Sequence, residues 1–367
     1  MNQQPWIGKP AKDIWFIQLP PFISLLAIIL FPGFFKSGAA MSDISWLLLI
    51  VLIDVAHVYS TLYRTYFDKT AFSRQRYLLT VIPAIGFIAG VLVYAVDHLL
   101  FWRLLAYVAV FHFVRQQYGF VRIYSRFESS YKFSRKMDAV AIYAATIYPL
   151  VYWHLDGPRN FNWFVKGDFI YLHSPIVLQL TGWLYAAIII VYMVKEIMLI
   201  AQTKRFNIPR NGIMVGTFLS WYFGIVYFNG DIVFTLLNVI SHGVPYMALI
   251  WIHGKKKMTA QNHGKNHLLQ KVFSKYGVLL FLGIIFLLAV TEESLWDIFV
   301  WKEHDAVLLT SILPQLQVPD MLLAFLIPLL ALPQITHYIL DGFIWKIRKD
   351  DFRWSNEKKD SRVVVAD

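Results

Sequence analysis

Cysteine is absent from the 367-residue chain. That excludes disulfides, thiolate metal sites, iron–sulfur clusters and cysteine nucleophiles. Charge is also scarce, at 16% of residues, where a soluble domain carries about 25%. No internal repeat or low-complexity tract is visible, which removes the usual sign of a two-fold repeated carrier. What fills the sequence is apolar: 57% of residues are hydrophobic and the mean hydropathy is +0.52. These residues come in long blocks near the length needed to cross about 30 Å of hydrocarbon. Neither alternation nor a short amphipathic period organises them.

The blocks predict an all-α, polytopic transmembrane helix bundle of about ten spans. They fall at 14–35, 44–66, 77–96, 99–121, 137–153, 175–201, 213–228, 232–252, 276–290 and 321–344. Pro20 and Pro21 predict a kink in the first. The polar opening MNQQPWIGKPAKD reads as no secretory signal, because the block that follows is long enough to stay as a helix. The chain divides into a transmembrane domain, 1–345, and a charged cytoplasmic tail, 346–367.

Net charge is +11, but the basic residues cluster in alternate connections. With the N-terminus inside, Arg64, Lys69, Arg74 and Arg76 fall on the inner side, as do Lys255, Lys256 and Lys257. Lys36, Arg103, Arg159, Lys166 and Lys302 fall outside. This asymmetry puts both termini in the cytoplasm. It explains the positive charge by anionic lipid rather than nucleic acid. The expected location is the inner membrane of a bacterium. Two outer segments are long. One is the aromatic stretch 154–174, and the other, 292–320, has the makings of an interfacial helix.

Ionisable groups inside a bilayer are costly and usually face an interior or a cavity. Four spans carry a histidine with a polar partner one turn away: Asp54 with His57, His112 with Gln116, Asn238 with His242, and His337 with Asp341. All four spans run inward, and the sixth adds Lys195 and Glu196 at similar depth. Histidines that merely pack would not be expected to level out in this way. The set suits a metal site of imidazole and carboxylate ligands, in which iron fits oxidative and zinc hydrolytic chemistry. His57, His112, His242 and His337 are the expected ligands. Asp54, Asp341 and Glu196 are the expected catalytic or supporting acids. His263 and His267, in a lysine-rich loop, read as solvated.

The segments HVYSTLYRTYFD, FHFVRQQYGF, ISHGVPY and THYILDGF carry a resemblance. Their histidines, spread over several spans, resemble those of polytopic membrane non-haem iron enzymes. These are the membrane desaturase and hydroxylase group and the Brp/Blh carotenoid-cleaving group. The desaturase spacing H-x-x-H-H is absent, and H-x-x-x-H occurs only at His263 and His267, outside the four histidine-bearing spans. The resemblance implies a metal near the inner leaflet, a lipid or isoprenoid substrate arriving from the bilayer, oxidation, desaturation or cleavage, and a separate electron donor. A proton-coupled transporter, a haem protein and a structural role are the alternatives.

Overall fold

The computed structural model describes residues 4–35, 41–128, 132–260, 267–308, 310 and 318–345; the charged tail 346–367 and His263 lie outside them. The described residues form helices and no strand. In order these are α1 (Pro10–Gln18), α2 (Pro20–Leu30), α3 (Asp43–Tyr63), α4 (Lys69–Val96), α5 (His98–Tyr124) and α6 (Lys132–Leu155). Then come α7 (Pro175–Thr203), α8 (208–227), α9 (Asp231–Ala260), α10 (His267–Val272), α11 (Val278–Trp301) and α12 (Asp320–Ile344).

Seven of these helices are long and apolar enough to cross a membrane, or eight if α1 and α2, bent by 52° at the break before Pro20, count as one span. This is compatible with an integral membrane protein. The fifth and seventh expected spans do lie in helices, α6 and α8, but these fall short on length or apolarity. Both turn polar groups into the bundle: Asp138 and Thr146 from α6, and Arg210, Asn211, Thr217 and Ser220 from α8. The ninth span continues past its expected end at residue 290, so that Glu292 and Glu293 are helical and buried.

Local chemistry sets the helix ends. Asp68 caps α4 by accepting from the N–H groups of Thr70 and Ala71, and Asp97 caps α5 through Leu100. Asp97 alone separates α4 from α5, which makes a tight helical hairpin. In the aromatic stretch between α6 and α7, one carboxylate oxygen of Asp168 gathers the N–H groups of Trp163, Phe164 and Val165 at 2.6–3.1 Å.

α9 is the central element. In its most apolar window 78% of residues are buried, against 17% for α4 and 22% for α7. α3 and α2 pack against α9, and α12 packs against α4 and α5. Residues such as Ile85, Ile88 and Leu92 of α4 face outward and suit lipid contact. Close approach at the core needs glycine. A Cβ at Gly243 of α9 would sit 2.9 Å from Ile53 Cγ2 and 3.1 Å from the Ile53 carbonyl oxygen. The missing side chain lets α3 lie directly against α9, beside His242.

Candidate metal centre

α3 is irregular where it matters. Leu47–Val55 winds as a π-helix, Ala56–Ser60 returns to α, and Thr61–Tyr63 tightens to a 3₁₀ turn. Widened turns of this kind often mark functional positions. Asp54 lies near the end of the π segment and His57 in the α turn after it. His112 comes from α5, His242 from α9 and His337 from the C-terminal half of α12. α12 itself breaks at Ala331, between Pro328 and Pro333, so His337 sits on a separate helical half.

The four histidines converge. One ligand nitrogen from each lies within 4.8 Å of the others, and the residues are only 1–2% exposed. His242 Nε2 is 3.1 Å from His57 Nε2 and 3.2 Å from His112 Nε2. The fourth, His337 Nε2, is buried with no hydrogen-bond partner. Nitrogens bound about 2.0–2.1 Å from one metal ion stand roughly 3.0–3.4 Å apart at cis or tetrahedral angles. The two separations from His242 Nε2 match that spacing. A buried polar atom without a partner is costly, and a cation among the Nε2 lone pairs would satisfy His337. The quartet can therefore hold a metal ion.

If Nε2 faces the metal, Nδ1 carries the proton, and its surroundings fix each ring. His337 Nδ1 is 2.7 Å from Thr61 Oγ1. His112 Nδ1 is 3.4 Å from Asp341 Oδ2, and His57 Nδ1 is 3.6 Å from Asp54 Oδ1. His242 is fixed by stacking, with the Phe113 ring 3.5 Å away and only 8° from parallel. Gln116 donates to the His242 carbonyl at 2.9 Å, tying α5 to α9 at this level.

These contacts refine the sequence expectations. Asp54 and Asp341 lie near the histidines on the Nδ1 side, 3.6 Å from His57 and 3.4 Å from His112. Asp341 faces His112 across the bundle, although the sequence pairs it with His337. Asn238 donates back to the Phe234 carbonyl and serves its own helix. Glu196 belongs to a different group. It receives Arg210, Lys195 and Asn211, and Lys195 also reaches Asp138 at 2.5 Å. That network joins α6, α7 and α8. His267 opens α10 and is exposed.

Two partners of the centre were not singled out from sequence. Tyr246 of α9 is a hub. Its hydroxyl donates to Asp341 Oδ1 and lies 3.0 Å from Thr61 Oγ1, so one buried side chain links the supports of His112 and His337. Thr61 reads as an ordinary helical threonine in sequence. Tyr246 follows Pro245, and its position one turn beyond His242 is the only hint available.

Comparison of the chain with protein-family models, with curated proteins and with solved structures returned no match.

Proposed function

We propose that the protein is a membrane-bound metalloenzyme. Its ion is held by His57, His112, His242 and His337, and it acts oxidatively on an apolar substrate. The observation that carries this reading is the convergence of four buried imidazoles from four helices, with ligand nitrogens within 4.8 Å. A proton relay would string its groups along a path, alternating donors and acceptors. Here the nitrogens point at one another, which favours an ion over the transporter reading.

Non-haem iron is the preferred metal. The donors are all imidazole, a set that iron, zinc and copper accept. A haem is disfavoured on space: histidines this close on every side leave no slot for a flat macrocycle between an axial pair. Bound iron would supply oxygen activation. The chain's own part is to fix the imidazoles through Thr61, Asp54 and Asp341 and to keep bulk water away.

The substrate class follows from the surroundings. The centre is walled by apolar helices whose outer faces suit lipid, so a fatty acyl chain, a lipid or an isoprenoid is the proposed substrate, undergoing oxidation, desaturation or cleavage. Electrons would come from a separate donor, and nucleic acid has no part. The proposed setting is a bacterial inner membrane, with ten spans and both termini cytoplasmic, as the distribution of basic residues indicates.

The test is metal content by mass spectrometry of detergent-purified protein, prepared without chelators, beside His57→Ala and His337→Ala. Near-stoichiometric iron in the wild type, lost in both variants, is expected. Zinc lost in the same pattern would redirect the reading to hydrolysis. Well-folded wild-type protein that takes up no metal would overturn it.

A further inference from the structure

Tyr246 packs against the quartet on one side and meets a tryptophan on another. Its ring centroid lies 5.0 Å from that of His337, 5.8 Å from His57 and 6.4 Å from His112. The residue is only 1% exposed. Trp345 Nε1 points at the Tyr246 hydroxyl from 3.5 Å, and the two rings are 6.2 Å apart at 85°. Trp345 ends α12, about two turns beyond His337, and is partly exposed. The Arg64 guanidinium lies 3.9 Å from its ring centroid and donates to the Ile344 carbonyl, and the His253 ring is 5.7 Å away. Lys256 and Lys257 follow His253 on α9, which marks this as the basic end of the bundle. Two aromatic rings thus lead from the histidines to a partly exposed indole.

The Tyr246 hydroxyl has the partner that electron transfer from a phenol requires. It donates to Asp341 Oδ1, and Thr61 Oγ1 lies 3.0 Å away. A phenol that loses one electron while keeping its proton becomes a cation, and an unpaired charge in a dry interior is costly. The proton must therefore leave with the electron. The Asp341 carboxylate is already hydrogen-bonded to the phenol and can take that proton without any group moving.

We propose that Tyr246 is a redox-active residue of the metal centre, relaying single electrons to the quartet from a one-electron carrier protein that reaches Trp345. In the first step Tyr246 gives one electron to the oxidised centre, and its O–H bond breaks as the proton passes to Asp341 Oδ1. In the second step the carrier's electron arrives through the Trp345 ring, and the proton returns from Asp341 to the phenolic oxygen. The carrier has then lost one electron and the centre has gained one, while Tyr246 and Asp341 are as they began. Dioxygen is the final oxidant. This rests on the metal reading above and gives its separate electron donor a point of entry.

The chain has no cysteine, so Thr259→Cys, at an exposed position near the end of α9, places a single ruthenium–bipyridine label at the basic end. A light flash, with an irreversible electron acceptor in solution, turns the label into a one-electron oxidant that draws an electron out along the same rings. The full-length protein is used metal-free in detergent, after size-exclusion chromatography has selected folded material. Electron paramagnetic resonance with deuterated tyrosine identifies the radical. The expected result is a tyrosyl radical that is lost in Tyr246→Phe, in Trp345→Leu and in Asp341→Asn. It should persist in Tyr338→Phe, the control, whose ring is 5.2 Å from His112. A tyrosyl radical that survives Tyr246→Phe would overturn the proposal, as would a labelled protein with Tyr246 intact that forms none. The flash needs no ion, so these outcomes stand apart from metal content. Protein that takes up no metal would sink the metal reading itself, and the relay with it.

Discussion

Asp341 and His337 share one helix, a turn apart, yet the Asp341 carboxylate faces His112 of α5, with Oδ2 3.4 Å from Nδ1. The C-terminal part of α12 thus faces one histidine of the quartet while supplying another. Removing Asp341 disturbs a histidine on a different helix. Asp341→Asn is expected to weaken metal affinity about 10–100-fold, the usual cost of losing a ligand's orienting partner. Competition against a chelator of known affinity measures this. An affinity within twofold of wild type would show that the carboxylate does not orient His112.

Thr61 is the corresponding support for His337. Thr61→Val keeps the shape and removes the acceptor, so His337 Nδ1–H is left buried and unsatisfied. A buried donor without a partner costs about 1–3 kcal/mol, and metal affinity is expected to fall by tenfold or more. Thr61→Ser should restore most of it. Equal affinities in the Val and Ser variants would refute the role.

Gly243 holds the spacing between α9 and α3. In Gly243→Ala the new methyl would meet Ile53 Cγ2 and the Ile53 carbonyl oxygen at 2.9 and 3.1 Å. Side chains can turn aside, but a carbonyl in a helix cannot. The expected result is a loss of about 1–3 kcal/mol of stability, together with lower metal occupancy, because His57 and His242 are pushed apart. Thermal unfolding with and without metal checks both. A variant with wild-type melting temperature and occupancy would contradict the close approach.

The network around Arg210 should behave differently. Its side chain is wholly buried against Glu128, Asp138 and Glu196. Arg210→Ala leaves buried carboxylates unpaired, which typically costs about 3–5 kcal/mol. The melting temperature should drop clearly. Protein that remains folded at low temperature should still hold its metal, since the network lies apart from the quartet. Loss of metal from folded protein would show that the two groups are coupled.

The histidines were legible in sequence because imidazoles at similar depth in four apolar spans are costly unless they meet. Their partners were not. A period of three or four residues reveals neighbours on one helix, so Asp341 was paired with His337. The contact that exists crosses the bundle and depends on how helices pack. Glu196 is the same case: beside Lys195 in an apolar span it looks catalytic until Arg210 and Asp138 arrive from other helices. The apolar blocks gave the helices themselves, but hydropathy does not separate a lipid-facing span from a helix such as α8 that buries Arg210. From sequence the acids at 292 and 293 fall in the outer segment beyond the ninth span, because charge ended the apolar run. The helix continues through them because they turn inward.

The placement of Asp54 and Asp341 has a consequence for the ion's charge. Four neutral imidazoles leave a bound cation's charge untouched, and the two aspartates, one beyond His57 and one beyond His112, contribute two negative charges as carboxylates. Formal charges in this dry enclosure then sum to zero for a divalent ion and to plus one for a trivalent ion. Low surrounding polarity would make that surplus costly, so a redox-active ion held here would be biased toward its reduced form. Oxidising such an ion would then require an anion gained or a proton given up, tying each electron lost to a compensating movement of charge.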